Sequence, residues 1–164
     1  MNENDVLIIK NLLKELDETI DNGYGPFLAA IYDENYNLIS KERNSVVKSN
    51  LSLAHAEINT IKAAEEKLKT YNLAPYNLSI YITSEPCIMC LGAIMWAGIK
   101  KIYYSAPSIS VEKITGFDEG FKPNWIEEFK KRGIKVFPDI EKIEGERILE
   151  KYVKSNGVIY KPEN

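Results

Sequence analysis

The first stretch of the chain has apolar residues at steps of three and four positions. These residues are Val6, Ile9, Leu13, Leu16 and Ile20. Such spacing places them on one face of an α-helix whose other face is polar. We therefore predict an amphipathic helix over residues 5 to 21 that ends near Gly23.

The pattern then changes to short apolar runs separated by polar turns. Residues 27 to 32 and 36 to 39 are two such runs around Asp33-Glu34-Asn35, and together they predict a β-hairpin. A polar loop is predicted over residues 43 to 53. Helical spacing returns over residues 54 to 68 and places His55 and Glu57 in the first turn.

Strands and helices alternate over the rest of the chain. We predict strands at 77–83, 99–106 and 134–137, and helices at 87–97, 125–132 and 140–154. Gly98 caps the first of these helices, residues 107–123 form a loop, and residues 155–164 form a tail. This order predicts an α/β fold, a three-layer α-β-α sandwich with a central mixed five-stranded sheet.

The composition is that of an ordinary globular protein. Of 164 residues, 45% are hydrophobic and 27% are charged, so we expect one domain over residues 1–164. The formal net charge of -3 disfavours nucleic acid as a partner. The polar, acidic start lacks a secretory signal, and no apolar run reaches membrane-spanning length. We therefore expect a cytoplasmic protein with no membrane partner.

The residues that bind soft metals are concentrated in one pattern. His55 is the only histidine and Cys87 and Cys90 are the only cysteines of the chain. One imidazole and two thiolates give a tetrahedral zinc ion three protein ligands and leave its fourth position for water. Glu57, two residues past His55, can then move protons to and from that water without serving as a ligand.

Two simpler interpretations compete with a catalytic zinc site. His55 could be an ordinary surface or packed histidine, with the two cysteines serving as buried apolar residues. Alternatively, the zinc ion could be structural and have a fourth ligand that the pattern does not show. The coincidence of all three ligands with Glu57 favours the catalytic interpretation, since the chain has no other Cys or His to offer.

These motifs resemble a known family. The pairing of His55-Ala56-Glu57 with Pro86-Cys87-Ile88-Met89-Cys90 is the signature of zinc-dependent base deaminases. The longer stretch from Thr83 to Ala97 resembles the short bacterial guanine deaminases of the cytidine deaminase superfamily. Gly25-Pro26-Phe27 and Gly116-Phe117-Asp118-Glu119 look like the pocket strand and late loop of that family.

The resemblance implies a cytidine deaminase-like fold, one Zn²⁺ per subunit and hydrolysis of guanine to xanthine and ammonia. Glu57 would shuttle protons, and Asp118 or Glu119 would be a second shuttle, although the family commonly has two aspartates there. The resemblance also implies a homodimer whose C-terminal segment, residues 155–164, is swapped or flexible.

The resemblance further assigns substrate contacts for a small purine base. Asn44 would bind the purine edge, and the backbone of Ala56, Ser84 and Glu85 would contact the ring carbonyl and the leaving amine. Phe27 and Trp96 would line the pocket, and Tyr160 would cap the pocket of the partner subunit. Core packing for Phe27 and Trp96, a turn for Asn44 and a spectator role for Tyr160 are the alternatives.

The motifs are also compatible with other functions. The substrate could be cytosine, another aminopurine, a triazine, a nucleoside or adenosine in transfer RNA. A catalytically silent, zinc-bearing dimer used as a scaffold is the alternative outside enzymes, and Glu57 disfavours it because a scaffold needs no proton shuttle.

Overall fold

The computed structural model describes residues 1–20 and 22–161. Within those residues the strands are β1 (Leu28–Tyr32), β2 (Leu38–Arg43), β3 (Ser79–Ser84), β4 (Lys101–Ala106) and β5 (Lys135–Phe137). The α-helices of the same residues are α1 (Glu3–Glu18), α2 (Val46–Ser49), α3 (Ala56–Leu68), α4 (Ile88–Ala97), α5 (Ser108–Thr115), α6 (Trp125–Lys131) and α7 (Lys142–Lys154). No helix in the described part of the chain is long and apolar enough to cross a bilayer.

The strands form one mixed sheet in the order β2-β1-β3-β4-β5. β1 is antiparallel to β2 and to β3, whereas β3–β4 and β4–β5 are parallel pairs. Helix α3 packs on β1 and β2 and contacts α4, while α1 packs on β1, β3 and β4 and contacts α7. The structure therefore confirms the predicted five-stranded sheet flanked by helices.

Helix α1 shows how local sequence sets an element boundary. The Asn2 side chain accepts the Asp5 backbone N–H at 3.1 Å, and the Asp5 carboxylate accepts the Asn2 N–H at 2.7 Å. This capping box starts the helix two residues before the predicted position. The helix ends at Glu18, earlier than predicted, and Asp21 lies outside the described residues.

Four features near the site differ from the sequence prediction. The polar stretch after β2 contains the short helix α2, and β2 itself runs to Arg43 because it pairs with β1 as far as Leu28. The predicted loop 107–123 contains α5, whose Val111 is fully buried and which packs against α7. Helix α3 begins after His55, which is its N-cap residue.

The parallel pairing of β3 with β4 decides where the candidate site forms. Ser84 at the end of β3 pairs with Ala106 at the end of β4. Glu85 and Ser108 therefore leave the same edge of the sheet, the edge at which α/β proteins usually bind ligands. The chain then enters α4 at Cys87, its N-cap residue.

Candidate metal centre and active site

The three predicted metal ligands meet where helices α3 and α4 begin. His55 and Cys87 are the N-cap residues of these helices, and Cys90 lies in the first turn of α4. The ligand atoms of all three residues lie within 4.8 Å of one another. His55 Nδ1 is 3.5 Å from Cys87 Sγ and 3.6 Å from Cys90 Sγ.

These distances fit a zinc ion. Tetrahedral geometry with Zn–N near 2.1 Å and Zn–S near 2.3 Å requires nitrogen–sulfur separations of about 3.6 Å. Within the described residues, no Asp or Glu joins the three ligand atoms, and the chain has no further Cys or His. The donor set therefore suits Zn²⁺ with one coordination position left for a water molecule.

The electrostatics of the two thiols differ. The Cys90 thiol donates to Cys87 and lowers the pKa of the Cys87 thiol to about 4, although burial acts in the opposite direction; His55 lowers it further. The pKa of Cys90 is raised well above its usual value, first because it donates to Cys87 and then because it is buried. One thiolate is thus present before metal binds, and zinc binding requires the loss of the second thiol proton.

Glu57 lies in the first turn of α3, one residue beyond Ala56. Its side chain is only 5% exposed, and it lines the same cavity as His55 and Cys87. Burial raises the pKa of Glu57 to about 7; the charge of Cys87 adds to this effect, and His55 opposes it. A carboxyl group with a pKa near neutrality can both accept and return a proton at physiological pH.

The metal centre lies in a cavity of about 490 Å³. This volume is in the range of small-molecule sites in proteins. The predicted site residues that line it are Phe27, His55, Glu57, Ser84, Glu85, Cys87, Asp118, Glu119 and Tyr160. The structure thus brings together most of the residues that the motifs indicate.

Aromatic side chains form one wall of the cavity. The ring of Phe117 lies 5.3 Å from that of Phe27 and 4.9 Å from that of Tyr160, and Tyr160 approaches the imidazole of His55 at 6.2 Å. These centroid distances are those of favourable aromatic pairs. Phe27 therefore contributes to the cavity wall and also packs in the core, so both of its predicted roles describe the same side chain.

Asn44 is fully buried beside this aromatic wall. Its Nδ2 donates to the hydroxyl oxygen of Tyr160 at 2.5 Å, and its Oδ1 accepts the Val46 N–H at 3.3 Å. A Cβ atom on Gly25 would lie 2.5 Å from Asn44 Oδ1, so only glycine allows this close approach. Asn44 thus has a turn contact and a hydrogen bond to Tyr160, but it is not itself among the described residues that line the cavity.

The described part of the tail folds back over the cavity of its own chain. Tyr152 donates its hydroxyl to the carbonyl of Val158 at 2.8 Å, and Gly157 lies so close to the Tyr152 ring that a Cβ atom would clash at 2.3 Å. In the single chain these contacts direct Tyr160 to its own Asn44, and its role as a cap on the pocket of a partner subunit stays a prediction. Residues 162–164 of the predicted tail lie outside the described residues.

Comparison with known proteins places this geometry in a family. A family model described as the cytidine and deoxycytidylate deaminase zinc-binding region matches residues 2–106. The chain belongs to this family. The zinc ligands of the family, one histidine and two cysteines, correspond to His55, Cys87 and Cys90.

Two deaminases illustrate the similarity of the chain to individual proteins. Guanine deaminase of Bacillus subtilis (strain 168) is 39% identical over 97 residues, which are 59% of this chain and 60% of that protein. The match thus spans less than two thirds of that relative. A tRNA-specific adenosine deaminase of Buchnera aphidicola subsp. Schizaphis graminum is 31% identical over 135 residues, 82% of this chain and 84% of that protein.

Solved structures extend the similarity to most of the fold. The protein NE0047 in complex with 2,6-diaminopurine superimposes with a TM-score of 0.86 at 35% identity, covering 93% of this chain and 83% of that one. A guanine deaminase from Nitrosomonas europaea gives a TM-score of 0.83 at 34% identity, covering 88% and 81% of the two chains. These structures have the deaminase fold in common with this chain.

Three of the residues predicted to contact the substrate are not among the described residues that line the cavity: Asn44, Ala56 and Trp96. Trp96 is 83% exposed on α4 and borders a separate shallow depression with Met95 and Arg132. It does not line the cavity, because it lies near the end of α4 whereas the cavity lies at the start. Ala56 is fully buried between His55 and Glu57 but is not among the described residues that line the cavity, so its backbone contact stays a prediction.

The two acids of the late loop occupy different environments. Asp118 is solvent-exposed, and its Oδ1 accepts the Gly120 N–H at 2.9 Å in a local turn. Glu119 is 6% exposed and lines the cavity. Burial raises the pKa of Glu119 to about 8, Lys122 opposes this effect, and Cys87 adds to it. Of the two predicted candidates for a second shuttle, the structure favours Glu119.

Sequence reasoning missed a group of residues behind this loop. Lys122, Ser108 and Trp125 contact Glu85 and Glu119, as described below. It also missed Val46 and Leu53, which line the cavity from the stretch predicted as polar loop. An isolated lysine in an irregular segment carries no spacing signal, whereas Trp125 could have been noted as an indole that needs an acceptor.

Proposed function

We propose that the chain catalyses the hydrolytic deamination of a purine base, with guanine converted to xanthine and ammonia. The observation that carries this proposal is the three-ligand centre of His55, Cys87 and Cys90 beside the buried acid Glu57 in one cavity. A zinc ion held there supplies an activated water molecule at neutral pH.

Glu57 is the proton carrier of this proposal. Its carboxylate accepts a proton from the attacking water and passes it to the ring nitrogen beside the attacked carbon. The remaining hydroxyl proton then goes to the exocyclic amine, which leaves as ammonia, so that the carboxylate is restored. Burial, which raises the pKa of Glu57 above its usual value, favours a carboxyl group that can both accept and return a proton.

Glu119 assists the departure of the amine. With a pKa raised to about 8 by burial, its carboxyl group is protonated at neutral pH and can donate that proton to the leaving nitrogen. It takes up the hydroxyl proton in exchange, so the hydroxyl proton reaches the amine by way of Glu119 and the carboxyl group ends protonated. The backbone carbonyls of Ser84 and Glu85 are the proposed acceptors for the amine hydrogens, since both residues line the same cavity.

The lining of the cavity favours an uncharged, flat base. Phe27, Phe117 and Tyr160 offer aromatic surface for ring stacking. Among the described residues, the charged side chains that line the cavity are, apart from His55, four acids and one lysine: Glu57, Glu85, Asp118, Glu119 and Lys161. This balance disfavours a phosphate-bearing substrate, because phosphates require an excess of cationic or N–H donors.

Similar proteins support a purine substrate. NE0047 was solved with 2,6-diaminopurine, and a variant of it was solved with 8-azaguanine, at 35% and 33% identity to this chain. Asn44 is the proposed hydrogen-bonding partner of the purine edge, because its amide N–H₂ donates to Tyr160, a residue that lines the cavity.

A substrate panel tests the proposed function. Ammonia release is measured with guanine, guanosine, cytosine, cytidine, adenine, adenosine and a transfer RNA, using zinc-loaded protein and its Glu57→Gln variant as the blank. We expect guanine to give the largest kcat/KM. Turnover of cytosine or of transfer RNA alone would overturn the purine-base assignment, and no turnover of any substrate would favour the scaffold alternative.

Deamination of adenosine in transfer RNA is the second candidate. The Buchnera tRNA-specific adenosine deaminase covers 82% of this chain at 31% identity, which is the observation in its favour. The net charge of -3 and the acidic cavity argue against it, since RNA binding depends on neutralising phosphates.

We also propose that the chain forms a homodimer. It exposes large apolar side chains, including Trp96 (83%) and Phe121 (80%), and such residues often mark protein–protein contacts. Sedimentation equilibrium should give twice the chain mass of 18.7 kDa. A Trp96→Glu variant that stays dimeric would remove Trp96 from the interface, and a monomeric wild type would reject the dimer.

A further inference from the structure

Behind the cavity wall, one lysine is enclosed by four oxygen atoms. The side chain of Lys122 is 10% exposed, and its Nζ lies 3.1 Å from Glu85 Oε1 and 3.7 Å from Glu119 Oε2. The same ammonium group donates to the carbonyl of Pro86 at 2.7 Å and to the hydroxyl of Ser108. Lys122 therefore joins the loop that carries the first cysteine ligand to the loop that carries Glu119.

The two carboxyl groups that contact Lys122 depend on it to different degrees. Glu85 also accepts the Ser108 backbone N–H at 2.9 Å and the Trp125 indole N–H at 2.8 Å, so it stays oriented without the lysine. The only other partner that the described residues give the Glu119 carboxyl group is the Ser108 hydroxyl, at 3.4 Å. Because Lys122 also donates to that Ser108 hydroxyl, both contacts of the Glu119 carboxyl group involve the ammonium group.

The chain reaches this arrangement through a tight reversal after Glu119. Gly120 has φ +76°, and a Cβ atom there would lie 2.5 Å from Ile88 Cγ2. Glycine thus lets the loop pass close to α4, and the backbone carbonyl of Glu119 accepts the Ile88 N–H at 3.1 Å. This reversal returns Lys122, three residues later, to the side of the Glu119 carboxyl group.

We infer that Lys122 is a positioning residue that holds the carboxyl group of Glu119 at the cavity wall. It acts through Glu119 and does not touch the substrate, because it is not among the described residues that line the cavity. The inference rests on the proposed function, in which Glu119 assists the leaving amine. A misplacement of about 1 Å in a reacting group can lower the rate about 100-fold, so loss of the ammonium group should affect kcat.

The test combines single and double variants of the zinc-loaded protein. Lys122→Met removes the charge but keeps the length of the side chain, Lys122→Gln keeps polarity, and Lys122→Arg restores a cation. Each is made in the wild-type chain and in a Glu119→Gln background. Lys113→Met is the control, since Lys113 is an exposed lysine of α5. The readouts are kcat and KM for guanine, zinc content, and the Kd for 8-azaguanine measured by calorimetry.

The expected result separates positioning from folding. Lys122→Met and Lys122→Gln should lower kcat on the order of 10- to 100-fold, keep one equivalent of zinc, and leave the Kd for 8-azaguanine within about twofold. Lys122→Arg should recover most of kcat. In the Glu119→Gln background the Lys122 substitutions should have almost no further effect, because a residue that acts through another adds nothing once that partner is lost.

Several outcomes would overturn the inference. An unchanged kcat in a folded Lys122→Met or Lys122→Gln protein would show that Glu119 needs no lysine. If the Lys122 substitutions lower kcat as much in the Glu119→Gln background as in the wild type, Lys122 acts through a group other than Glu119. Loss of zinc or of the fold would assign it a structural role. If the wild type turns over no guanine, the proposed function has failed, while the 8-azaguanine Kd still shows whether the cavity binds a purine.

Discussion

The two sides of the cavity are built from different kinds of sequence signal. The metal side consists of His55, Glu57, Cys87 and Cys90, at the first residues of two helices. The loop side consists of Glu119, Lys122 and Tyr160, in irregular segments fixed by long-range polar and aromatic contacts. The metal side can be found from residue spacing, whereas the loop side is defined only by the folded chain.

This difference has a physical cause. In a helix, residues three positions apart lie on the same face. Cys87 and Cys90 at the start of α4 can therefore bind one ion through a local geometry that does not depend on distant contacts. The loop side has no such local rule. Lys122 meets Glu85 across 37 positions of sequence and Asn44 meets Tyr160 across 116, and no periodicity in the sequence predicts either pair.

Removing a metal ligand should lower the rate of guanine deamination more than any other substitution considered. Cys87→Ser removes a thiolate ligand that zinc prefers over a hydroxyl group. We expect the protein to be isolated without stoichiometric zinc and the rate of guanine deamination to fall on the order of 10⁴-fold or more. Metal analysis and initial rates check this, with zinc-free wild type as the control for the fold. A Cys87→Ser protein with full zinc and normal rate would remove Cys87 from the ligand set.

Replacing the proton carrier should separate metal binding from chemistry. Glu57→Gln keeps the size of the side chain but cannot accept a proton, so zinc content should be unchanged while kcat falls about 10²- to 10⁴-fold. Glu66→Gln is the matched control, since Glu66 lies on the same helix and is 68% exposed. Near-normal turnover by Glu57→Gln would exclude Glu57 from the mechanism.

Substitution of Glu119 on the loop side should lower kcat by a smaller factor and change its dependence on pH. Because burial raises the pKa of Glu119 to about 8, this group is protonated at neutral pH and loses its proton as the pH rises through about 8. We expect kcat to decline above that pH, and Glu119→Gln to lower kcat about 10- to 100-fold and to abolish this alkaline decline. Asp118→Asn, which keeps an acceptor for the Gly120 N–H, should change little.

The pH profiles of these three proteins decide between the two acids. If kcat still declines at alkaline pH in Glu119→Gln but no longer declines in Asp118→Asn, the second shuttle is Asp118. That result would contradict the burial argument made for Glu119.

A substitution in the tail, at Tyr160, should change the kinetic constants least. Tyr160→Phe removes the hydrogen bond from Asn44 but keeps the aromatic contacts with Phe117 and His55. A net hydrogen bond contributes about 0.5–1.5 kcal/mol, which corresponds to a change in KM of about two- to tenfold. Tyr71→Phe serves as the control because Tyr71 is 87% exposed. A large loss of kcat with unchanged KM would show instead that Tyr160 takes part in the chemical step.

Much of the fold follows from the sequence, and the exceptions have identifiable causes. Each of the five predicted strands overlaps a strand of the structure. β1 is continuously apolar, and β3 places Ile80 and Ile82 at alternate positions. Helix α5 was not predictable because Ser108, Ser110 and Thr115 break its apolar face, and its stability comes from packing against α7. Tertiary contacts thus override a weak local preference in that segment.

The candidate site divides in the same way. His55, Glu57, Cys87 and Cys90 were predictable from their residue types and spacing, and the structure brings the three metal ligands together. Trp96 lies near the end of α4 and borders another depression of its own chain, so its predicted contact with the pocket stays a prediction. The location of Tyr160 could not be predicted, because it depends on how Tyr152 and Gly157 hold the tail.

Zinc titration of the metal-free protein tests the central claim most directly. Chelator-treated protein is supplied with Zn²⁺ in steps while xanthine formation from guanine is followed. The account predicts no turnover without metal, a linear rise in rate up to one Zn²⁺ per chain, and no increase beyond it. Turnover by the metal-free chain, or a fully loaded chain that leaves guanine unchanged, would contradict the account.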